Sequence, residues 1–264
     1  MTCPRSAPKV GYDTDAKHEY RKMIWSGIGA AVPDLRKKNI FLLPALEARE
    51  VSFLVANGFD QRKMVLCDRN PATIATVVRS KGHHGLGYGL CKGYGVDVAR
   101  VGARLRRDGV SVTAAHLDLT ANLCDRTLAT FAHFVAGCPW ESETNVVVMN
   151  YMKGRESRGM SDLLREVAGR YPHDTREVGF RSALLARIVG GAAWQQGMVA
   201  MILTGFNGTY LSGRAPMSYL GMAIVDPRRL RSGYGDISYA VRCAIEHGRS
   251  YYHVAMNLME RYPA

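Results

Sequence analysis

Short runs of apolar, β-forming residues alternate along the chain with stretches whose apolar positions recur every three or four residues, which predicts an alternation of strands and helices. From Lys17 to Val32 the apolar residues Tyr20, Met23, Ile24, Ile28 and Ala31 keep helical spacing until Pro33 stops it. A β-α-β unit follows. Ile40 to Leu43 and Lys63 to Cys67 are its strands, and Leu46, Val51, Leu54 and Val55 form one face of the helix between them. Asn70-Pro71 starts another helix, which buries Ile74, Val77 and Val78 and runs to about Ser80. Val96 to Arg107 is predicted as an amphipathic helix, Val110 to Leu119 as the third strand and Asn122 to Gly137 as a helix. Asn145 to Tyr151, a continuous apolar run, is predicted as a fourth, central strand buried on both faces. Leu163 to Arg170 is a further predicted helix. The apolar stretch Phe180 to Leu203 is expected to form two helices hinged near Gly190-Gly191. Met217 to Val225 is predicted as a late strand, and Asp236 to His247 and Tyr251 to Tyr262 as closing helices.

This order implies an α/β fold: a doubly wound, mainly parallel sheet with helices on both faces. Residues 1–37 are expected to form an N-terminal arm and helix, and residues 38–264 a single α/β domain with C-terminal helices. The segment His83 to Gly95, with a glycine at nearly every second position, is predicted to be a loop rather than a regular element.

Charge and cysteine usage narrow the partners. Thirty-five Lys and Arg face 23 Asp and Glu, a net charge of +12, and such an excess favours a polyanionic partner such as RNA or DNA. The six cysteines, at positions 3, 67, 91, 124, 138 and 243, never form a C-x-x-C pair, so neither a zinc site nor a disulfide framework is expected. The N-terminus has no basic region followed by an apolar core. The longest apolar stretch is broken by Arg187, Gln195 and Gln196, so the expectation is a soluble, cytoplasmic protein without a membrane span.

The candidate chemistry gathers at the predicted carboxyl ends of the strands, where ligands sit in doubly wound folds. Asp68 ends the second predicted strand, Asp118 the third and Asn150-Tyr151 the fourth. An Asp at the tip of the second strand is placed to accept hydrogen bonds from a ribose diol. The chain lacks G-x-G-x-x-G after the first strand, a P-loop, a G-x-S-x-G elbow and H-E-x-x-H. Dinucleotide-dependent, hydrolytic and metalloenzyme readings therefore rank low. His116 is expected to be a packed, satisfied histidine rather than a general base.

In this order of parts, and in Leu66-Cys67-Asp68-Arg69-Asn70-Pro71 above all, residues 38–225 resemble a class I S-adenosylmethionine-dependent methyltransferase. The resemblance implies S-adenosylmethionine as cofactor. Carried over by position, Leu43, Pro44, Ala45 and Glu47 wrap its methionine half, Asp68 with Arg69 and Asn70 holds the ribose, and Asp118 with Leu119 lies beside the adenine. Asn150 and Tyr151 then face the reacting atom, Asn150 accepting hydrogen bonds from an exocyclic amine and Tyr151 stacking on a base. Lys92, Lys153, Arg155 and Arg158 are the basic residues expected to receive nucleic-acid phosphates.

The chain departs from the family in having no glycine in its first loop, and in keeping only the Asn and an aromatic neighbour of the usual acceptor motif. Glu47 has two readings, a carboxylate for the methionine amino group or a favourable charge at a helix N-terminus. Function likewise has two readings: a nucleic-acid methyltransferase, or a non-catalytic methyltransferase-like scaffold, a viral one among the alternatives, that binds nucleic acid or takes part in assembly.

Overall fold

The computed structural model describes residues 15–79, 89–141, 144–152, 179–212, 215–228 and 235–264. A seven-stranded sheet runs through it in the order β3-β2-β1-β4-β5-β7-β6. The strands are β1 Ile40–Leu42, β2 Met64–Cys67, β3 Lys92–Tyr94, β4 Ala114–Asn122, β5 Thr144–Met152, β6 Val199–Ser212 and β7 Ala215–Val225. From β3 to β5 every pairing is parallel, and β7 alone runs antiparallel to both of its neighbours. The doubly wound, mainly parallel sheet expected from the sequence is thus present. The order reverses between β1 and β4, the switch point at which such sheets place their ligands.

The two faces of the sheet carry separate cores. On one face, Ala114, Val146 and Val148 meet α1 (Asp15–Ala31), α2 (Arg49–Ala56) and α3 (Pro71–Arg79) through Ile24, Ile28, Val51, Leu54 and Val77. On the other, Ala115, Leu117, Val147 and Met149 meet α4 (Val101–Arg107), α5 (Asp125–Gly137), α6 (Phe180–Trp194) and α7 (Gly235–Arg261). Successive strand residues point to opposite faces, so this alternation decides which side chains of β4 and β5 share a site.

Several expectations need correction. The predicted third strand is β4, at the centre of the sheet, and the predicted fourth is β5. The strand that precedes β4 in the chain was hidden in the glycine-rich segment, where Lys92-Gly93-Tyr94 pairs with β2 at the edge of the sheet. As a three-residue edge strand it buries too little to show an apolar run, and its glycine admits Ile74 of α3, whose side chain a Cβ on Gly93 would strike.

The stretch from Phe180 does not hinge at Gly190-Gly191. Helix α6 passes straight through, because a Cβ on Gly191 would collide with the Tyr251 carbonyl of α7, so the glycine permits close helix packing. Beyond Trp194 the chain turns into β6, which the sequence reading missed. The two predicted C-terminal helices are one, α7. The predicted helix Leu163 to Arg170 and the first residues of the glycine-rich segment, including His83 and His84, lie outside the described residues.

No helix among the described residues is long and apolar enough to cross a membrane. Among those residues there is also no cluster of three or more His, Cys, Asp or Glu side chains that would hold a metal ion.

Candidate functional site

The carboxyl edge of the sheet presents two groups of polar residues, one on each side of the switch point. The first lies over β2 and β3. Asp68 follows β2 directly, its backbone N–H donates to the Tyr94 carbonyl of β3 (3.1 Å), and its Oδ1 accepts from the Asn70 N–H at 2.7 Å. That Asx turn holds the carboxylate through one of its two oxygens. Asn70 in turn caps α3 through the Ala72 N–H at 3.0 Å. Arg69 and Asn70 are exposed, and Asp68 is half-buried.

Asp97, three residues beyond Tyr94, occupies the equivalent place after β3 and caps the following turn through the Ala99 N–H at 3.0 Å. Both carboxylates lie close enough to Cys67 that, after burial, their charges are the next causes driving its thiol pKa up. The sequence reading missed Asp97 because β3 itself was missed. The signal was the same strand-then-acid pattern that picked out Asp68.

Between the two groups runs the first loop, residues 43–48. Pro44 is buried, Leu43 half-buried, and Ala45 and Glu47 are exposed. Glu47 pairs with Arg49 at 2.7 Å. At its end Ala48 adopts a left-handed backbone, φ 46 and ψ 31, with its methyl group buried. A loop without glycine therefore still makes the turn into α2 that usually calls for one, through a strained alanine.

The second group lies over β4 and β5 and is closed. His116, Asp118 and Asn150 point to the α1 face, and Asp118 stands opposite Asn150 in the register. Glu50 Oε1 of α2 accepts from Trp25 Nε1 (2.7 Å) and contacts His116 Nδ1 (2.6 Å). His116 Nε2 lies 3.3 Å from the Tyr20 hydroxyl, which donates to Asn150 Oδ1 at 2.6 Å. Asn150 Nδ2 donates to Asp118 Oδ1 (3.4 Å) and to the Tyr210 hydroxyl (3.2 Å), and Lys17 Nζ caps Asp118 Oδ2 at 3.1 Å.

Burial alone would lower the His116 pKa, but the charge and hydrogen bond of Glu50 outweigh it and raise the pKa above its ordinary value. Glu50 shows the converse. Burial pushes its pKa up, and the His116 charge, with bonds from His116 and Trp25, brings it below the ordinary value. Asp118 is also lowered, burial being outweighed by Lys17 and His116. The crevice bounded by Lys17, Tyr20, Pro44, Glu47, His116 and Asp118 retains about 70 Å³. That is room for about two water molecules.

These positions revise the expected site. Asp118 and Leu119 lie within the fourth strand, not at the end of the third, so Asp118 is two strands from Asp68 and stands beside Asn150 instead. Asn150 lies within the fifth strand, two residues before its end. Tyr151 does not stack in the crevice: pleat alternation turns it to the opposite face, where it is 1% exposed and its hydroxyl meets Ser182 Oγ at 3.1 Å. Aromatic rings on the Asn150 face come from Tyr20, Tyr210 and Tyr219, on elements that sequence spacing did not connect. Lys92 is exposed on the edge strand, a position where lysine also discourages strand-to-strand aggregation. Lys153, Arg155 and Arg158 lie outside the described residues.

A sheet that winds outward from β1 and carries one antiparallel strand, β7, between β5 and β6 departs from the all-parallel dinucleotide-binding order. The fold is class I methyltransferase-like. No protein-family model matches the sequence, and no curated protein is similar to it in sequence. Among solved structures, the chain is similar to magnesium protoporphyrin IX methyltransferase from Synechocystis PCC 6803 with bound SAH, at 11% identity and a TM-score of 0.49 over 79% of this chain and 83% of that one. It is also similar to an O-methyltransferase from Bacillus cereus in complex with SAH, at 10% identity and a TM-score of 0.44 over 83% and 84%. A 16S rRNA methyltransferase from Catenulisporales acidiphilia gives 12% and 0.44 over 82% and 94%. The methyltransferase-like fold is that of the strand order β3-β2-β1-β4-β5-β7-β6.

Proposed function

We propose that this protein binds S-adenosylmethionine at the tips of β1, β2 and β3 and methylates a nucleic acid. The observation that carries the reading is the pair Asp68 and Asp97, two carboxylates set by Asx turns at the ends of adjacent parallel strands. Beside them is a first loop whose left-handed Ala48 supplies the backbone turn the cofactor cradle needs. In this arrangement Asp68 accepts from the ribose hydroxyls, Asp97 lies by the adenine edge, and the 43–48 loop borders the methionine half. When bound, the cofactor supplies a methyl group already activated by its sulfonium, so the protein's contribution is largely positioning. Asn150 and Asp118 fix the acceptor side. The nucleic-acid partner is supported by the net charge of +12 and by exposed Arg100, Arg104 and Arg107, spaced three and four residues apart along the helical segment that follows Asp97. Such a row suits a phosphate backbone.

A second reading, a scaffold that binds nucleic acid without turnover, is favoured by the packed crevice at Asp118 and Asn150. Calorimetry with S-adenosylhomocysteine separates the two. The first reading expects binding to the wild-type protein and a loss of roughly tenfold or more in Asp68→Ala, since a hydrogen bond to a charged group contributes about 1.5–3 kcal/mol. Equal affinity in the variant removes the site assignment. No binding at all, together with tight, salt-sensitive RNA or DNA binding, selects the scaffold.

A further inference from the structure

Tyr20 is held in the way a methyl acceptor would be held. Its ring lies flat on Tyr210, with centroids 4.0 Å apart and planes 11° apart, and Tyr219 closes a second side at 5.2 Å. Its hydroxyl donates to Asn150 Oδ1 at 2.6 Å and approaches His116 Nε2 at 3.3 Å. A planar ring stacked on an aromatic residue, with an exocyclic donor on the Asn carbonyl, matches a nucleobase carrying an exocyclic amine. We infer that this aromatic box is the acceptor-base site of the proposed enzyme and that the first turns of α1 occupy it, Tyr20 standing in the base's place and Lys17 latching Asp118. The inference rests on the methyltransferase reading for the identity of the site, not for the occlusion itself.

Two observations support a movable occupant. The second half of α1 is anchored independently: Ile24 and Ile28 are fully buried, and a Cβ on Gly27 would run into the Phe206 ring of β6, so that part of the helix lies tightly on the sheet. The first turns are held at the site by the stacked Tyr20 ring, the Lys17–Asp118 ion pair and the Tyr20 hydroxyl, three contacts of kinds that a base and water also make. A competing base carrying an exocyclic amine replaces the ring stacking and the hydroxyl contact in kind, and water replaces the ion pair. The 70 Å³ left beside Tyr20 does not admit a base while the ring is in place, so the closed state excludes the acceptor.

The test compares wild-type protein with full-length Lys17→Ala/Tyr20→Ala for binding of a short single-stranded oligonucleotide containing adenine and cytosine, followed by fluorescence anisotropy at fixed salt. The double variant is expected to bind at least tenfold tighter, and adding Asn150→Ala should abolish the gain. Tyr20→Phe keeps the ring and removes only the hydroxyl latch. It should bind several-fold tighter than wild type, and it decides the matter if the double variant does not fold. Affinity equal to or below wild type in the folded variants, or a gain that survives Asn150→Ala, overturns the inference. Calorimetry with S-adenosylhomocysteine on the same preparations separates the two failures. Retained cofactor binding without an oligonucleotide gain sinks the occluded site alone, whereas a gain without cofactor binding sinks only the methyltransferase reading.

Discussion

The two halves of the carboxyl edge solve opposite problems with the same residue type. Over β2 and β3, Asp68 is half-buried and Asp97 exposed, and each accepts a nearby backbone N–H through Oδ1 alone. Over β4 and β5, Asp118 and Glu50 are drawn into a buried network in which Lys17, Trp25, Asn150 and His116 satisfy them. The first arrangement contributes little to folding and is available to a ligand. The second is structural as it stands, because an unpaired charge at that depth would be costly. Function at the second half therefore requires a rearrangement that the first half does not.

The sharpest way to break this contrast is to delete one carboxylate from each half. Glu50→Ala leaves His116 buried without its partner and is expected to lower unfolding stability by about 3–5 kcal/mol in urea titrations. Asp68→Ala removes only an exposed local turn contact and should stay within about 0.5 kcal/mol of wild type. Comparable losses at the two sites would show that the halves are not different in kind.

The pH dependence of stability gives a smaller, second test. His116 has a folded pKa above its ordinary 6.5, so its contribution is complete below that value and is lost as pH rises through the raised one. Glu50 and Asp118 have folded values below their ordinary 4.5 and 3.8, so theirs are complete above those values and are lost as pH falls through the lowered ones. Stability from the network should be greatest between about pH 4.5 and 6.5. Glu50→Gln should weaken the decline above pH 6.5, because it removes the charge that raises the His116 pKa. An alkaline slope identical in the two proteins would show that the His116–Glu50 pair does not set it.

The open half was the more legible from sequence. Asp68 stands out because a strand, an acid and an Asn-Pro helix start are all local signals, and local signals survive in a single sequence. Asp97 follows the same rule but was masked by an edge strand with only three residues and a glycine at its centre. The closed half is non-local: Tyr20 meets Asn150 across 130 positions, and Glu50 meets His116 across 66. Nothing in the spacing of those residues announces the contacts. Tyr151 was misplaced for a related reason. It lies inside β5 beside Asn150, and a run buried on both faces has no polar alternation to show which residue faces which core. The fold, by contrast, depends on the repeated alternation of elements and was read even though β3 and β6 were missed.

The smallest effect is expected between the halves, at Ala48. A left-handed L-residue is strained by about 1–2 kcal/mol, which Ala48→Gly would relieve. The same change frees the unfolded chain, a cost of about 0.4–1 kcal/mol, and removes a buried methyl group worth about 0.8 kcal/mol. These terms nearly cancel, so the variant should unfold within about 1 kcal/mol of wild type. A loss of more than about 2 kcal/mol would mean that the Ala48 methyl is a packing element the loop depends on. The glycine-free loop would then be a structural closure like the β4–β5 side, not a cradle that has kept its turn, and the open half would end at Asp68.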